Sequence, residues 1–107
     1  MIYIAHRGCV AGPNKQENEP SFVLDALERF DVEIDVRCIN GRIYLGHDKP
    51  QYEVDSSFLL KKGSLNNTFW VHAKDINTLS ILQYHVKGIH IFYHDMDECT
   101  LTSNNYI

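Results

Sequence analysis

Apolar residues open the chain as a short run, Ile2-Tyr3-Ile4-Ala5, that Gly8 ends, and the polar stretch to Pro20 carries Gly12, Pro13 and Asn14. The pattern predicts a strand and then a long loop. Pro20 and Ser21 introduce apolar residues at Phe22, Val23, Ala26, Leu27 and Phe30, a spacing of three and four that marks one face of a helix. Val32 to Val36 reads as a second strand, Asn40-Gly41 as a tight turn, and Ile43-Tyr44-Leu45 as the returning arm of a hairpin. A second helix is expected over about Asp55 to Lys62. Thr68 to Ala73, rich in aromatic and β-branched residues, predicts a strand, and Asp75 caps a helix running to about Val86. Gly88 stops that helix, Ile89 to Tyr93 forms a further strand, and Thr100 to Ile107 shows no complete element.

Strands that alternate with helices predict a parallel sheet with right-handed crossovers. The expected architecture is α/β, the N-terminal half of a (β/α)8 barrel with about four main parallel strands, in one partial domain over residues 1–107. A short doubly wound sheet would give the same string of elements.

Composition narrows the class of partner. The 107 residues hold 10 Lys+Arg against 14 Asp+Glu, a formal charge of −4. A nucleic-acid binder held by phosphate contacts needs a basic surplus, so none is expected here. The N-terminus shows no basic leader, and no run reaches the roughly 20 apolar residues of a membrane span, which predicts a soluble, cytoplasmic protein. Cys9, Cys38 and Cys99 are odd in number and widely spaced, so reduced thiols are expected rather than a disulfide frame or a metal knuckle. Asn66-Asn67-Thr68 has the form of a glycosylation acceptor, which carries no weight without a secretory signal.

The residues with chemistry lie where the expected strands end. His6-Arg7 follows the first strand and His47-Asp48 the hairpin arm, while His72 and Lys74 close the third main strand. Glu33 and Asp35 lie two apart on the second strand and so share a face, opposite Ile34 and Val36. Two carboxylates on one face of an apolar strand are costly unless that face meets water, cations or a metal ion. His6, Glu33 and Asp35 are expected to converge in one cleft, with His47 and Lys74 on its rim. The remaining histidines, His85, His90 and His94, match no motif and read as structural or exposed, Lys61-Lys62 reads as a solvated helix end, and the aromatic residues read as core.

In order along the chain, Ile4-Ala5-His6-Arg7-Gly8, then Glu17-Asn18 ahead of the first helix, Glu33-Ile34-Asp35-Val36, Asn40-Gly41, Ile43-Tyr44-Leu45 and His47-Asp48 form one series. It resembles the N-terminal half of the glycerophosphodiester phosphodiesterase family, within the wider PI-PLC-like phosphodiesterases. The likeness covers nearly all of residues 2 to 48 and runs more loosely to Lys74. It implies metal-dependent cleavage of a glycerophosphodiester into glycerol 3-phosphate and an alcohol. By that resemblance His6 and His47 are the acid/base pair, Arg7 meets the phosphate, and Glu17 is a further site carboxylate. Glu33 and Asp35 are metal ligands, suited to Mg²⁺ or Ca²⁺.

Two departures stand out. Where the family has Glu-x-Lys, this chain has His72-Ala73-Lys74. His72 as a third ligand moves the preference toward Mn²⁺ or Zn²⁺, and Lys74 remains a cation for the substrate. The second departure is length, since a complete barrel runs to about 250 residues. Half a barrel leaves open sheet edges and a bare apolar interior, which predicts self-association, a poorly folded monomer and little turnover without further strands. The alternatives are an inactive fragment or module that keeps a phosphate and metal site, and an unrelated α/β interaction domain.

Overall fold

The computed structural model describes residues 4–9, 15–95 and 99–102, with the backbone alone for 94, 95 and 99–102. Ile2 and Tyr3, Gly12 to Asn14, and residues 103–107 lie outside the described residues, as do the side chains of His94 and Cys99. The elements are β1 (Ile4–His6), α1 (Pro20–Leu27), β2 (Asp31–Ile39), β3 (Arg42–Leu45), β4 (Tyr52–Val54), a 3₁₀ turn (Ser56–Leu60), β5 (Phe69–Ala73), α2 (Ile76–His85), β6 (His90–Asp95) and β7 (Cys99–Thr102).

Local chemistry accounts for most of these boundaries. Pro20 occupies the first turn of α1, where its missing N–H has no helical partner to lose. The Asp75 side chain accepts from Thr78 N at the start of α2. Asn40 and Gly41 both adopt positive φ, the conformation a two-residue hairpin turn requires. Asp55 caps its segment by accepting from Phe58 N, yet only a 3₁₀ turn follows, so the helix expected over Asp55 to Lys62 does not form. Phe58 instead stacks on Phe69, with ring centroids 5.3 Å apart, and Leu59 is buried beside it. Anchoring two apolar side chains needs a single turn.

The expectation of half a (β/α)8 barrel is overturned. The seven strands form one mixed sheet in the order β4-β3-β2-β5-β6-β7, with β1 against the first half of β2. The pairs β1/β2, β2/β5 and β5/β6 are parallel, but β2/β3, β3/β4 and β6/β7 are antiparallel. Only two α-helices occur among the described residues, and the path from β2 to β5 runs through β3, β4 and the 3₁₀ turn. The physical reason is local: the Asn40-Gly41 turn sends the chain straight back along β2, and β7 returns along β6. Antiparallel neighbours thus occupy positions a barrel fills with parallel strands. The edge of β6, expected to stand open, is covered by β7.

The sheet has two unlike faces. Val32, Ile34 and Val36 of β2 pair in register with Phe69, Val71 and Ala73 of β5, and all six are fully buried under α1, α2 and the 3₁₀ turn. Ala5, Leu45 and Ile91 extend this layer. The apolar layer that a broken barrel would leave bare is therefore covered. Glu33, Asp35, Trp70 and His72 alternate with it on the same strands and turn to the other face.

Candidate active site

The site forms where β2 changes neighbours. On one edge β1 pairs with β2 as far as His6 opposite Glu33, and β3 takes over at Leu45 opposite Val36. Between them the main chain of Asp35 lacks a strand partner on that edge. Its N–H donates to Asn18 Oδ1 at 2.9 Å, and its carbonyl accepts from Gly46 N at 3.0 Å. A buried amide must be satisfied, and here one side chain does the work of a strand. Asn18 holds φ +63, a conformation asparagine tolerates better than most residues, and its own N–H is bonded to Arg7 O.

Asp35 is fully buried and surrounded by donors. Asn18 Nδ2 reaches its Oδ2 at 2.9 Å, Arg7 Nε lies 3.1 Å from the same oxygen, and His72 Nδ1 stands 3.0 Å from its Oδ1. Burial pushes the carboxyl up. The bonds from His72 and Asn18, with the charges of Lys74 and Arg7, outweigh that and hold it down at about 2.

Glu33 has the opposite fate. Burial and the Asp35 charge drive it up to about 7 against the pull of Arg7 and Lys74. Its Oε1 is 3.4 Å from His6 Nε2, near enough for attraction between charges but too poorly aligned for a hydrogen bond, so this buried oxygen has no hydrogen-bond partner among the described residues. His6 is in turn lowered, by partial burial and by the Arg7 charge, with Asp35 and Glu17 opposing. Two carboxyls on one strand face thus differ by several units because one collects donors and the other does not.

Glu33, Asp35 and His72 can each offer a donor atom within 4.8 Å of the others, the spacing of a divalent cation's ligands. The unpartnered Glu33 oxygen, the hard carboxylates and the imidazole together fit such an ion. His72 is held flat against Phe92, with centroids 4.9 Å apart and planes 6° from parallel.

All eight residues expected at the site from sequence lie within electrostatic reach of it. Glu17 receives Arg7 NH1 at 3.1 Å and acts on both His6 and Glu33. Lys74 acts on Glu33 and Asp35, and His47 acts on His6. The His47 ring is oriented by Asp48, whose Oδ1 is 2.8 Å from Nδ1. Arg7, expected at a substrate phosphate, already engages Glu17 and Asp35. Sequence reasoning assigned no role to Asn18, although an asparagine beside a glutamate before a helix was in view. His90, read from sequence as structural or exposed, stacks on Trp70 with centroids 4.2 Å apart, in the same row of the open face as Glu33.

No family model matches the chain, and neither a curated protein nor a solved structure matches it. No helix among the described residues is long and apolar enough to cross a membrane.

Proposed function

We propose that this chain carries the site of a metal-dependent phosphodiester hydrolase acting on glycerophosphodiesters, releasing glycerol 3-phosphate and an alcohol. The observation that carries the reading is the cluster of Glu33, Asp35 and His72 beside His6, with one buried carboxylate oxygen of Glu33 left unpartnered. Glu33, Asp35 and His72 would hold a divalent ion, with Mg²⁺ or Ca²⁺ suited to the carboxylates and Mn²⁺ or Zn²⁺ to the imidazole. When bound, that ion supplies positive charge to the phosphoryl oxygens.

The chain's own groups do the rest. A phosphodiester is anionic and its leaving alkoxide is poor, so the reaction needs a base at the attacking oxygen and a donor at the departing one. His6, lowered and hence neutral near pH 7, suits the base. It takes a proton from a water as the new P–O bond forms, or from the substrate's glycerol hydroxyl, in which case a cyclic glycerol phosphate forms first and a water then opens it to glycerol 3-phosphate. His47, backed by the Asp48 carboxylate, suits the acid and delivers a proton to the alcohol oxygen as the old P–O bond breaks. Lys74 adds a cation for the phosphate. Asn18 and Arg7 hold Asp35 ionised and in place.

One observation favours a second reading, a module that binds phosphate and metal without turnover: Arg7 is engaged by two carboxylates of the protein. Incubation with glycerophosphocholine and Mn²⁺, Mg²⁺, Ca²⁺ or Zn²⁺, with enzymatic detection of glycerol 3-phosphate, separates the readings. Release that stops in chelator, and that falls at least about a hundredfold in H6A or E33Q, is the expected result. Metal binding without release supports the module, and release undiminished in chelator overturns the metal's part.

A further inference from the structure

We propose that Arg37 is a positioning residue that holds His47 at the site; this rests on the phosphodiesterase reading only for what His47 does there. Arg37 follows Glu33 and Asp35 at the next same-face position of β2, so one strand face carries both carboxylates and the arginine. Among the described residues its guanidinium forms no ion pair with a carboxylate. NH2 donates to the His47 carbonyl at 2.6 Å and Nε to the Gly46 carbonyl at 3.3 Å. Two nitrogens of one rigid fork therefore grip two successive peptide carbonyls where the chain leaves β3, a geometry a lysine ammonium cannot reproduce.

Two other restraints meet at the same segment. Gly46 N donates to the Asp35 carbonyl at 3.0 Å, tying the segment to the residue at the centre of the cluster. A side chain at Gly46 is excluded, because a Cβ there would stand 1.9 Å from the Lys49 carbonyl oxygen. The turn after β3 is thus folded tightly back on itself and pinned to β2 twice, once by Asp35 and once by Arg37. His47 follows immediately, with an imidazole that is 36 % exposed and whose one hydrogen-bond partner among the described residues is Asp48, a side chain that is itself 92 % exposed. Asp48 can set the ring's rotation but cannot fix where the ring stands. The main-chain grip of Arg37 supplies that placement. A group that must deliver a proton along one direction loses rate when displaced by an ångström, so the clamp acts on turnover rather than on binding.

The experiment compares R37Q and R37K with the unaltered chain in two readouts: imidazole ¹H–¹⁵N spectra, with His47 assigned through H47Q, and kinetics on glycerophosphocholine with Mn²⁺. In R37Q the His47 resonances are expected to shift and broaden while those of His6 hold. In the same variant kcat falls roughly tenfold to a hundredfold, with KM and Mn²⁺ affinity within about twofold. R37K, which keeps the charge without the fork, is expected to fall close to R37Q, and it carries both readings if R37Q does not fold. An unchanged His47 spectrum, a loss confined to KM, or an R37K indistinguishable from the unaltered chain overturns the proposal. An unaltered chain without turnover overturns the phosphodiesterase reading instead, and the His47 spectrum still reports on the clamp.

Discussion

Ile34 and Asp35 are neighbours on β2 and equally hidden, both at 0 % exposure, but they are hidden by opposite means. Ile34 lies in the layer under the helices, where any well-shaped apolar neighbour satisfies it. Asp35 is on the other face and needs named partners at set distances: Asn18, which donates to its carboxylate and accepts from its N–H, the Arg7 charge, and His72. The covered face is held by area and shape, which are forgiving of detail. The open face is held by matched polar partners, and one missing partner leaves a buried charge or amide exposed to its full desolvation cost. Glu33 marks the limit of this arrangement, because its partners were never completed.

The largest effect should come from the covered face. Phe69 is fully buried and stacked on Phe58, so F69A is expected to cost about 3–5 kcal/mol, a large part of the total for a domain of this size. Urea unfolding followed by circular dichroism measures it; a cost below 1 kcal/mol would mean that this layer does not carry the fold.

Next in size is a gain of stability on the open face. Glu33 titrates at about 7 in the folded chain against an ordinary 4.5, so the folded state holds its proton more tightly than the unfolded chain. Its contribution is complete below pH 4.5 and is lost as pH rises through about 7. In chelator at pH 8, E33Q should therefore be more stable than the unaltered chain by up to about 3 kcal/mol, with no advantage at pH 4. Equal melting temperatures at pH 8 would contradict the burial of that carboxylate. Asp35 runs the other way: its folded value of about 2 lies below 3.8, so its stabilisation is present above 3.8 and lost as pH falls toward 2.

Removing Asn18 should cost about 1–3 kcal/mol in N18A, since it strips one bond from the Asp35 carboxylate and orphans the Asp35 amide. The same variant should weaken Mn²⁺ binding, read through the single tryptophan, Trp70, which pairs in register with Glu33. Unchanged binding and stability would show that the amide bridge between β1 and β3 is dispensable. The smallest effect belongs to the exposed pair of Arg42 and Glu53, 3.5 Å apart at the rim of the hairpin. R42A should move stability by no more than about 0.5 kcal/mol, because water and salt screen such a pair. A larger loss would assign the hairpin a part in the fold beyond its edge position.

What the sequence by itself determined is the part written within a few residues. Alternation along Val32 to Val36 set which residues share a face, Asn40-Gly41 set the hairpin turn, and Asp75 set the start of α2, because each depends on a short-range period, a positive φ or one cap bond. The same alternation put Glu33 with Asp35, parallel strand order brought His6 to them, and His72 joined the set only through the family resemblance. The tertiary structure decided how far the sheet departs from a barrel: the Asn40-Gly41 turn already makes β3 antiparallel to β2, whereas β4 and β7 were not legible. β4 and β7 are three and four residues long and exist through antiparallel pairing with the strands just before them, β3 and β6. It alone reduced Asp55–Lys62 to a 3₁₀ turn, through the stacking of Phe58 on Phe69. The role of Asn18 was beyond the reach of sequence for the same reason. It fills a gap between β1 and β3 on the edge of β2, and that gap exists only once three separate segments have met.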